Sequence, residues 1–273
     1  MNRYVKSISI NISVLLMLFY LLFLASTIRS ASTANFYYFN PDSAHSNFIN
    51  LKQMMDKFLR TEGLTFSFQP FNRFLDFDRQ VREKRPALLY LPEWYLKQDG
   101  NDKKYKPFLV PVSHGVTTYR KVLLVAADSA LTKEKLANVT IAMTPVGPAG
   151  MTLLNEAIFK ANGLDANRLK FITTTKDADA LFALALGQVP AALISQNTMD
   201  RIGKLNPQIL KNVKPLAVSA PLPMPMLCYA EGAIEVAEIK KIRNTLLMGK
   251  QDKNVAQLME MLDVDAWHEL NPL

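Results

Sequence analysis

The sequence VTIAMTPVGPAG at residues 139–150 begins a run in which short apolar strands alternate with helices as far as Ile194. VTIAM has the apolar character of a buried strand, and the small-residue loop TPVGPAG leads from it into a helix pattern. The run continues with the helix Met151–Asn162, the strand Leu169–Thr173, the helix Ala178–Leu186 and the strand Ala191–Ile194. This alternation predicts an α/β unit with a mostly parallel sheet flanked by helices.

The preceding residues show the same alternation, so the sequence predicts two α/β units in tandem. Their segments are the strand Asn35–Asn40 (NFYYFN), a helix starting at Pro41-Asp42-Ser43, the strand Thr65–Phe71, the helix Arg73–Lys84 and the strand Ala87–Leu91. After the second unit the chain is extended and Pro-rich over Leu216–Tyr229, and we expect helices over Ala233–Leu270. A helical tail without a sheet of its own is expected to pack on the first unit.

This order predicts two lobes joined by two connections, near residues 116–126 and 216–229. We expect residues 35–118 and 220–273 to form lobe 1 and residues 119–219 to form lobe 2. Ligands of open α/β sheets bind outside the carboxyl ends of the strands. The predicted ligand site is therefore a cleft between the lobes.

The N-terminus is typical of an export signal. Arg3 and Lys6 precede a twelve-residue stretch without a polar side chain, Val14–Ala25, and small residues lead to a possible cleavage after Ala34. An uncleaved membrane anchor stays open, because the apolar stretch counted from Ile8 reaches about 18 residues, the lower limit of a membrane span. Either alternative places the bulk of the protein in the periplasm or on the extracytoplasmic face.

Composition excludes several classes of function. The chain has 273 residues, a formal net charge of +8 and a single cysteine, Cys228. Removing residues 1–34, which hold three basic residues and no acid, leaves 29 basic against 24 acidic residues without a basic run, so we expect no nucleic-acid partner. One cysteine and the scattered histidines His45, His114 and His268 predict no metal site, no cofactor and no catalytic residue, although Met224–Cys228 contains soft copper(I) ligand types.

Four stretches together resemble a known family. They are Tyr119–Leu131 (YRKVLLVAADSAL), Leu131–Met143 (LTKEKLANVTIAM), Gly150–Gly163 followed by Phe171, and Ala178–Ser195 (ADALFALALGQVPAALIS). In order and spacing they are similar to the type II periplasmic solute-binding proteins of ABC importers, most of all to the phosphonate, phosphite and phosphate branch. The resemblance covers most of residues 35–270.

The resemblance implies a monomer whose two lobes close over a small ligand and deliver it to a membrane permease. A second hypothesis is a sensory or accessory module with the same fold that signals ligand state to a membrane sensor. An enzyme acting outside the cytoplasm is a third hypothesis, which requires a titratable pair in the cleft.

The ligand loop departs from the pattern of this branch. The branch usually has a Ser/Thr-rich loop at the start of the lobe 2 helix, and its hydroxyls and amides hold an oxyanion. Here the loop reads Gly147-Pro148-Ala149-Gly150, in which Pro148 has no N–H to donate. Pro190 also stands where these proteins often have Asp. We therefore expect phosphate and simple phosphonates to bind weakly.

Eight residues are candidates for ligand contact: Tyr90, Trp94, Tyr119, Gly147, Gly150, Thr152, Ser195 and Asn197. The aromatic residues combine a large contact area with a polar tip, which suits a partly apolar solute. Core packing is the alternative for Trp94, and helix N-capping is the alternative for Ser195 and Asn197. Ser43 and His45, at the start of the first helix, either face the cleft or cap the helix.

Overall fold

A computed structural model describes residues 34–42 and 47–270. The predicted signal peptide up to Thr33 and the candidates Ser43 and His45 lie outside these described residues. Within them, no helix has the length and apolar character needed to cross a membrane.

The strands are β1 (Ala34–Phe39), β2 (Phe66–Phe71), β3 (Leu88–Leu91), β4 (Tyr105–Val112), β5 (Thr118–Tyr119), β6 (Lys121–Ala126), β7 (Thr140–Met143), β8 (Lys170–Thr173), β9 (Ala191–Ser195), β10 (Val213–Val218), β11 (Leu222–Pro223), β12 (Met226–Ala230) and β13 (Ala266–Glu269). The α-helices are α1 (Phe48–Thr61), α2 (Phe74–Lys84), α3 (Glu93–Leu96), α4 (Pro148–Leu154), α5 (Asp177–Ala185), α6 (Gln196–Leu205), α7 (Pro207–Lys211), α8 (Val236–Met248) and α9 (Lys253–Leu262).

Lobe 1 is a six-stranded sheet in the order β13-β4-β12-β3-β1-β2. β1 pairs in parallel with β2 and β3, whereas β12 and β13 are antiparallel to their neighbours. Helices α1, α8 and α9 place Leu51, Ile242 and Leu258 in the same buried apolar core as Phe68 of the sheet. The C-terminal helices therefore belong to lobe 1.

Lobe 2 is a five-stranded sheet in the order β10-β6-β9-β7-β8. β7 pairs in parallel with β8 and β9, and β6 runs antiparallel to β9 and β10. Apolar side chains cover both faces of the sheet. The carboxyl ends of β7 and β9, at Met143 and Ser195, lie at the same sheet edge because the two strands are parallel.

The chain passes between the lobes twice, and the two passages pair with each other. β5 and β11 form a two-stranded antiparallel sheet in which Tyr119 lies opposite Leu222. The Met224 amide also donates to the Thr117 carbonyl over 3.0 Å. The two-lobe fold is thus confirmed, and its lobes are linked by a short hydrogen-bonded hinge.

Three details differ from the prediction. Both sheets are mixed rather than mostly parallel, because the strands next to the hinge passages enter each sheet antiparallel. The helix expected over Met151–Asn162 is α-helical only to Leu154 and continues as one π-helical and one 3-10 turn. The tail is not helical to Leu270, because Ala266–Glu269 adds β13 to the edge of the lobe 1 sheet.

Candidate functional site

A cavity lies between the lobes next to the hinge. It has a cavity volume of about 60 Å³ and is partly open to solvent. Lobe 1, the hinge and lobe 2 all contribute to its walls. The lining residues are Asn40, Asp42, Tyr90, Pro111, Tyr119, Ser195, Asn197, Arg201, Met224, Pro225, Leu262, Asp263 and Val264.

Four polar residues of this cavity, Asn40, Asp42, Ser195 and Asn197, come from strand ends and a helix start. Asn40 and Asp42 follow β1 in lobe 1, and Ser195 ends β9 in lobe 2. Ser195 is also the N-cap of α6, and its Oγ accepts a hydrogen bond from the Thr198 amide over 3.2 Å. That cap fixes the first turn of α6, which carries Asn197 into the cavity wall.

A buried ion network lies beneath the cavity and joins the lobes. The Lys121 ammonium is 2.5 Å from Asp42 Oδ1 of lobe 1 and 3.1 Å from Asp177 Oδ1 of lobe 2. The Lys121 and Asp177 side chains are 2% and 0% exposed, and that of Asp42 is 11% exposed. Buried charges require such partners, since isolated ions in a protein interior cost several kcal/mol.

Neutral donors complete the network. The Thr144 hydroxyl lies 3.2 Å from Asp42 Oδ1 and 3.4 Å from Asp177 Oδ1, so its single hydrogen serves one of the two. The Ser195 amide donates to Asp177 Oδ2 over 2.6 Å. The Tyr119 hydroxyl hydrogen-bonds Asp42. Asp177 is thereby fixed within lobe 2, whereas Asp42 reaches the same donors from lobe 1.

Burial and neighbouring charges shift the pKa of three groups here. Burial raises the pKa of Asp177, and the Lys121 charge opposes that shift only in part. For Lys121, burial lowers the pKa, but the charges of Asp177 and Asp42 outweigh burial and leave it raised. Tyr119 is half-buried as a residue, yet its hydroxyl lies deep in the cleft, where loss of water and the Asp42 charge raise its pKa. The lysine is therefore charged and the tyrosine is a hydrogen-bond donor at neutral pH.

The cavity brings together four of the eight candidates. Tyr90, Tyr119, Ser195 and Asn197 all line it. Tyr90 is otherwise buried and stacks on Tyr38, with ring centroids 4.9 Å apart. The N-capping expected of Ser195 is also observed, so this residue caps α6 and lines the cavity at once.

The other four candidates lie outside the cavity lining. Trp94 is buried in an apolar core of lobe 1 and packs on the start of α4 in lobe 2. A Cβ on Gly150 would lie 3.0 Å from the Trp94 ring, and a Cβ on Gly147 would collide with Gln98 Oε1. The Thr152 hydroxyl donates to the Pro148 carbonyl over 3.1 Å. The side chains of Trp94 and Gln98 thus cover the start of α4, the position at which this family usually holds an oxyanion.

Four residues of the ion network were not among the eight candidates: Asp42, Lys121, Thr144 and Asp177. Asp42 was assigned to a helix start, Lys121 to an apolar stretch and Thr144 to the small-residue loop, and Asp177 was not singled out. A lysine directly before the apolar run VLLVA was the available signal, because a charge at the edge of a buried strand needs a partner. Among the described residues, no three His, Cys, Asp or Glu side chains are grouped to hold a metal ion.

A family model for the phosphonate periplasmic substrate-binding proteins of ABC transporters matches residues 36–272. The chain belongs to this family. The family prediction from the four sequence stretches is therefore confirmed. This phosphonate-type binding protein is an extracytoplasmic solute-binding protein that closes two lobes over a small ligand for an ABC importer.

Solved structures share the fold of this phosphonate-type binding protein at low sequence identity. The binding component of a phosphonate ABC transporter from Pseudomonas aeruginosa is 16% identical, with a TM-score of 0.69 over 87% of this chain and 81% of that one. A Prochlorococcus marinus protein in complex with methylphosphonate is 11% identical, with a TM-score of 0.67 over 88% and 93% of the two chains. A Xanthomonas citri protein bound to ATP is 13% identical, with a TM-score of 0.65 over 88% and 92%. No curated protein matches by sequence.

Proposed function

We propose that the phosphonate-type binding protein binds its solute in the cavity beside the hinge, with Tyr90, Tyr119, Ser195 and Asn197 among the contacts. The observation that supports this most directly is that one cavity is lined by both lobes and by the hinge strand β5. A solute held there touches every part that moves during closure. Its binding energy therefore stabilises the closed form.

The cavity walls suit a small solute with both polar and apolar parts. Tyr90, Met224 and Pro225 supply apolar contact area, while Asn40 and Asn197 supply amide donors and acceptors. The proposed lobe boundaries are residues 35–118 with 220–273, and residues 119–219. We further propose that the protein acts as a monomer, is exported by its N-terminal segment and passes the solute to a membrane permease.

A thermal-shift screen of the purified protein against a metabolite library tests this proposal, followed by calorimetry on each hit. Asn197→Ala should weaken the hit at least tenfold and leave the melting temperature of the free protein within about 2 °C, since Asn197 is only half-buried. The matched control is Asn212→Ala, because Asn212 is exposed and outside the cavity lining. Equal affinities for the wild type and Asn197→Ala would place the solute elsewhere.

A further inference from the structure

The Asp42 carboxylate is held at the lobe interface by donors that belong to the hinge and to lobe 2. Lys121 Nζ and Thr144 Oγ1 both approach Asp42 Oδ1, at 2.5 Å and 3.2 Å, and the Tyr119 hydroxyl also hydrogen-bonds this carboxylate. We propose that Lys121, Thr144 and Tyr119 form a carboxylate-binding subsite of the cleft, in which Asp42 takes the place of a carboxylate on the solute. This inference rests on the cleft being the solute site.

The position of these donors supports a ligand role. Thr144 follows β7, and Asp177, which orients Lys121, begins the helix after β8. Both residues therefore lie at the carboxyl ends of parallel strands, the edge at which open α/β sheets bind ligands. Asp42 also lines the cavity, so the subsite opens into the space that the solute would fill.

The charge of the network selects a singly charged anion. Without Asp42, Lys121 and Asp177 form a neutral buried pair in lobe 2. A carboxylate from the solute would replace the Asp42 carboxylate without changing the net charge at the interface. A doubly charged phosphate or phosphonate would bring a second negative charge near the fully buried Asp177, which is costly at such depth.

Lobe opening provides the route for exchange. Asp42 is attached to β1 of lobe 1, whereas Lys121 and Thr144 are attached to the lobe 2 sheet. Opening carries Asp42 away from the donors and exposes the subsite to water. When the lobes close again, the Asp42 side chain and the carboxylate of a solute compete for the same three donors.

The test removes the Asp42 carboxylate and supplies a free one. Asp42→Ala leaves space for formate, and Asp42→Ser is a second variant with a smaller gap. Asp42 belongs to none of the buried apolar clusters, so neither variant removes core packing. Asp42→Asn is the matched control, because its amide fills the same space and leaves no room for formate.

Melting is measured in sodium formate and in sodium chloride of equal concentration. At formate ten times its Kd, Asp42→Ala and Asp42→Ser should melt about 3–6 °C higher than in chloride. The wild type and Asp42→Asn should show no formate-specific shift. An equal shift in all four proteins, or none in Asp42→Ala and Asp42→Ser, overturns the subsite.

A second substitution ties the effect to the named donors. Thr144→Val keeps the shape of the buried side chain and removes its hydroxyl. In the Asp42→Ala background it should raise the Kd for formate about three- to tenfold, and an unchanged Kd contradicts the assignment. The solute screen on the wild type remains an independent test of the proposed function, because formate binding to Asp42→Ala does not depend on finding that solute.

Discussion

Lys121 Nζ of lobe 2 and Asp42 Oδ1 of lobe 1 lie 2.5 Å apart, in an ion pair that bridges the cleft. Asp42 and Lys121 are 79 residues apart in the chain and lie in different lobes, so the pair links the lobes directly. Asp177 holds Lys121 in place from the lobe 2 side at 3.1 Å. The buried lysine is therefore satisfied by one carboxylate from each lobe.

Lys121→Met should strongly destabilise the protein. It removes the positive charge and leaves Asp42 and Asp177 without their main partner, which for a buried ion pair costs about 3–5 kcal/mol. Urea unfolding followed by circular dichroism measures the loss. Lys160→Met is the matched control, because Lys160 and Glu156 are both 59% exposed and such pairs contribute under about 1 kcal/mol. Equal losses for the two variants would show that Lys121 is solvated.

Stability should fall as the pH rises above about 9. Burial raises the pKa of Cys228 and Tyr90 and raises that of Tyr105 to about 12. The unfolded chain loses these protons near pH 9.0 for cysteine and 10.0 for tyrosine, while the folded protein keeps them. Since the unfolded state then binds fewer protons, each group lowers the unfolding free energy by up to about 1.4 kcal/mol per pH unit.

Urea unfolding between pH 8 and 11.5 measures this alkaline loss. Tyr105→Phe removes one of the titrating groups and keeps the buried ring. Above pH 10 its unfolding free energy should decline less steeply with pH than that of the wild type. The difference in slope should approach about 1.4 kcal/mol per pH unit, the contribution of one proton. Constant stability of the wild type from pH 8 to 11 would contradict the prediction.

Local sequence patterns predicted most of the fold. The aromatic strand β1, the α2 helix and the VTIAM strand all lie within one or two residues of their predicted bounds, because their apolar periodicity matches the faces they bury. β13 was missed because Ala266–Glu269 has only one large apolar residue, Trp267, and forms a strand by pairing with β4. Pairing between distant segments leaves no local pattern in the sequence.

The site was harder to predict for the same reason. Tyr90 and Asn197 could be predicted because a local pattern places Tyr90 at a strand end and Asn197 at a helix start. The role of Lys121 depends on Asp42 and Asp177, which are 79 and 56 residues away in the chain. The position of Trp94 depends on its packing against Gly150 across the lobes, which no local sequence pattern shows.

Gly150→Ala should weaken the contact between Trp94 and α4. The new methyl group would lie 3.0 Å from the Trp94 ring and 2.8 Å from Val146 Cβ, so a neighbour has to move. Overpacking of this kind costs about 1–3 kcal/mol, against a gain of up to about 1 kcal/mol from replacing glycine in a helix. A lower melting temperature is expected, and the drop should be smaller when Trp94→Leu makes room. A Gly150→Ala protein as stable as the wild type would contradict the contact.

N-terminal sequencing tests the predicted processing. In an exporting host the mature protein should begin at or near Asn35, since Ser32-Thr33-Ala34 supplies the small residues of a cleavage site. The sample for comparison is the membrane fraction after a salt wash. An intact Met1 retained in that fraction would support the uncleaved anchor.

Phosphate, phosphite and methylphosphonate should bind weakly or not at all. A tightly held oxyanion needs several charge-assisted hydrogen bonds. The loop Gly147–Gly150 has no hydroxyl side chain, Pro148 lacks an N–H, and Trp94 and Gln98 pack against the loop. Of the two cationic side chains at the cleft, Lys121 is already paired with two carboxylates, and Arg201 is a single guanidinium in the cavity wall.

Calorimetry on the wild type measures the dissociation constants of all three anions. A carboxylate-bearing solute found in the screen serves as the comparison. The expected dissociation constants are above about 100 µM for the phosphorus oxyanions, which corresponds to a binding free energy weaker than about −5.5 kcal/mol. Trp94→Ala uncovers the helix start but adds no hydroxyl or charged donor, so the affinity for these anions should stay weak. Sub-micromolar binding of any of them to the wild type would refute the argument, because it would require donors that the packed loop does not present.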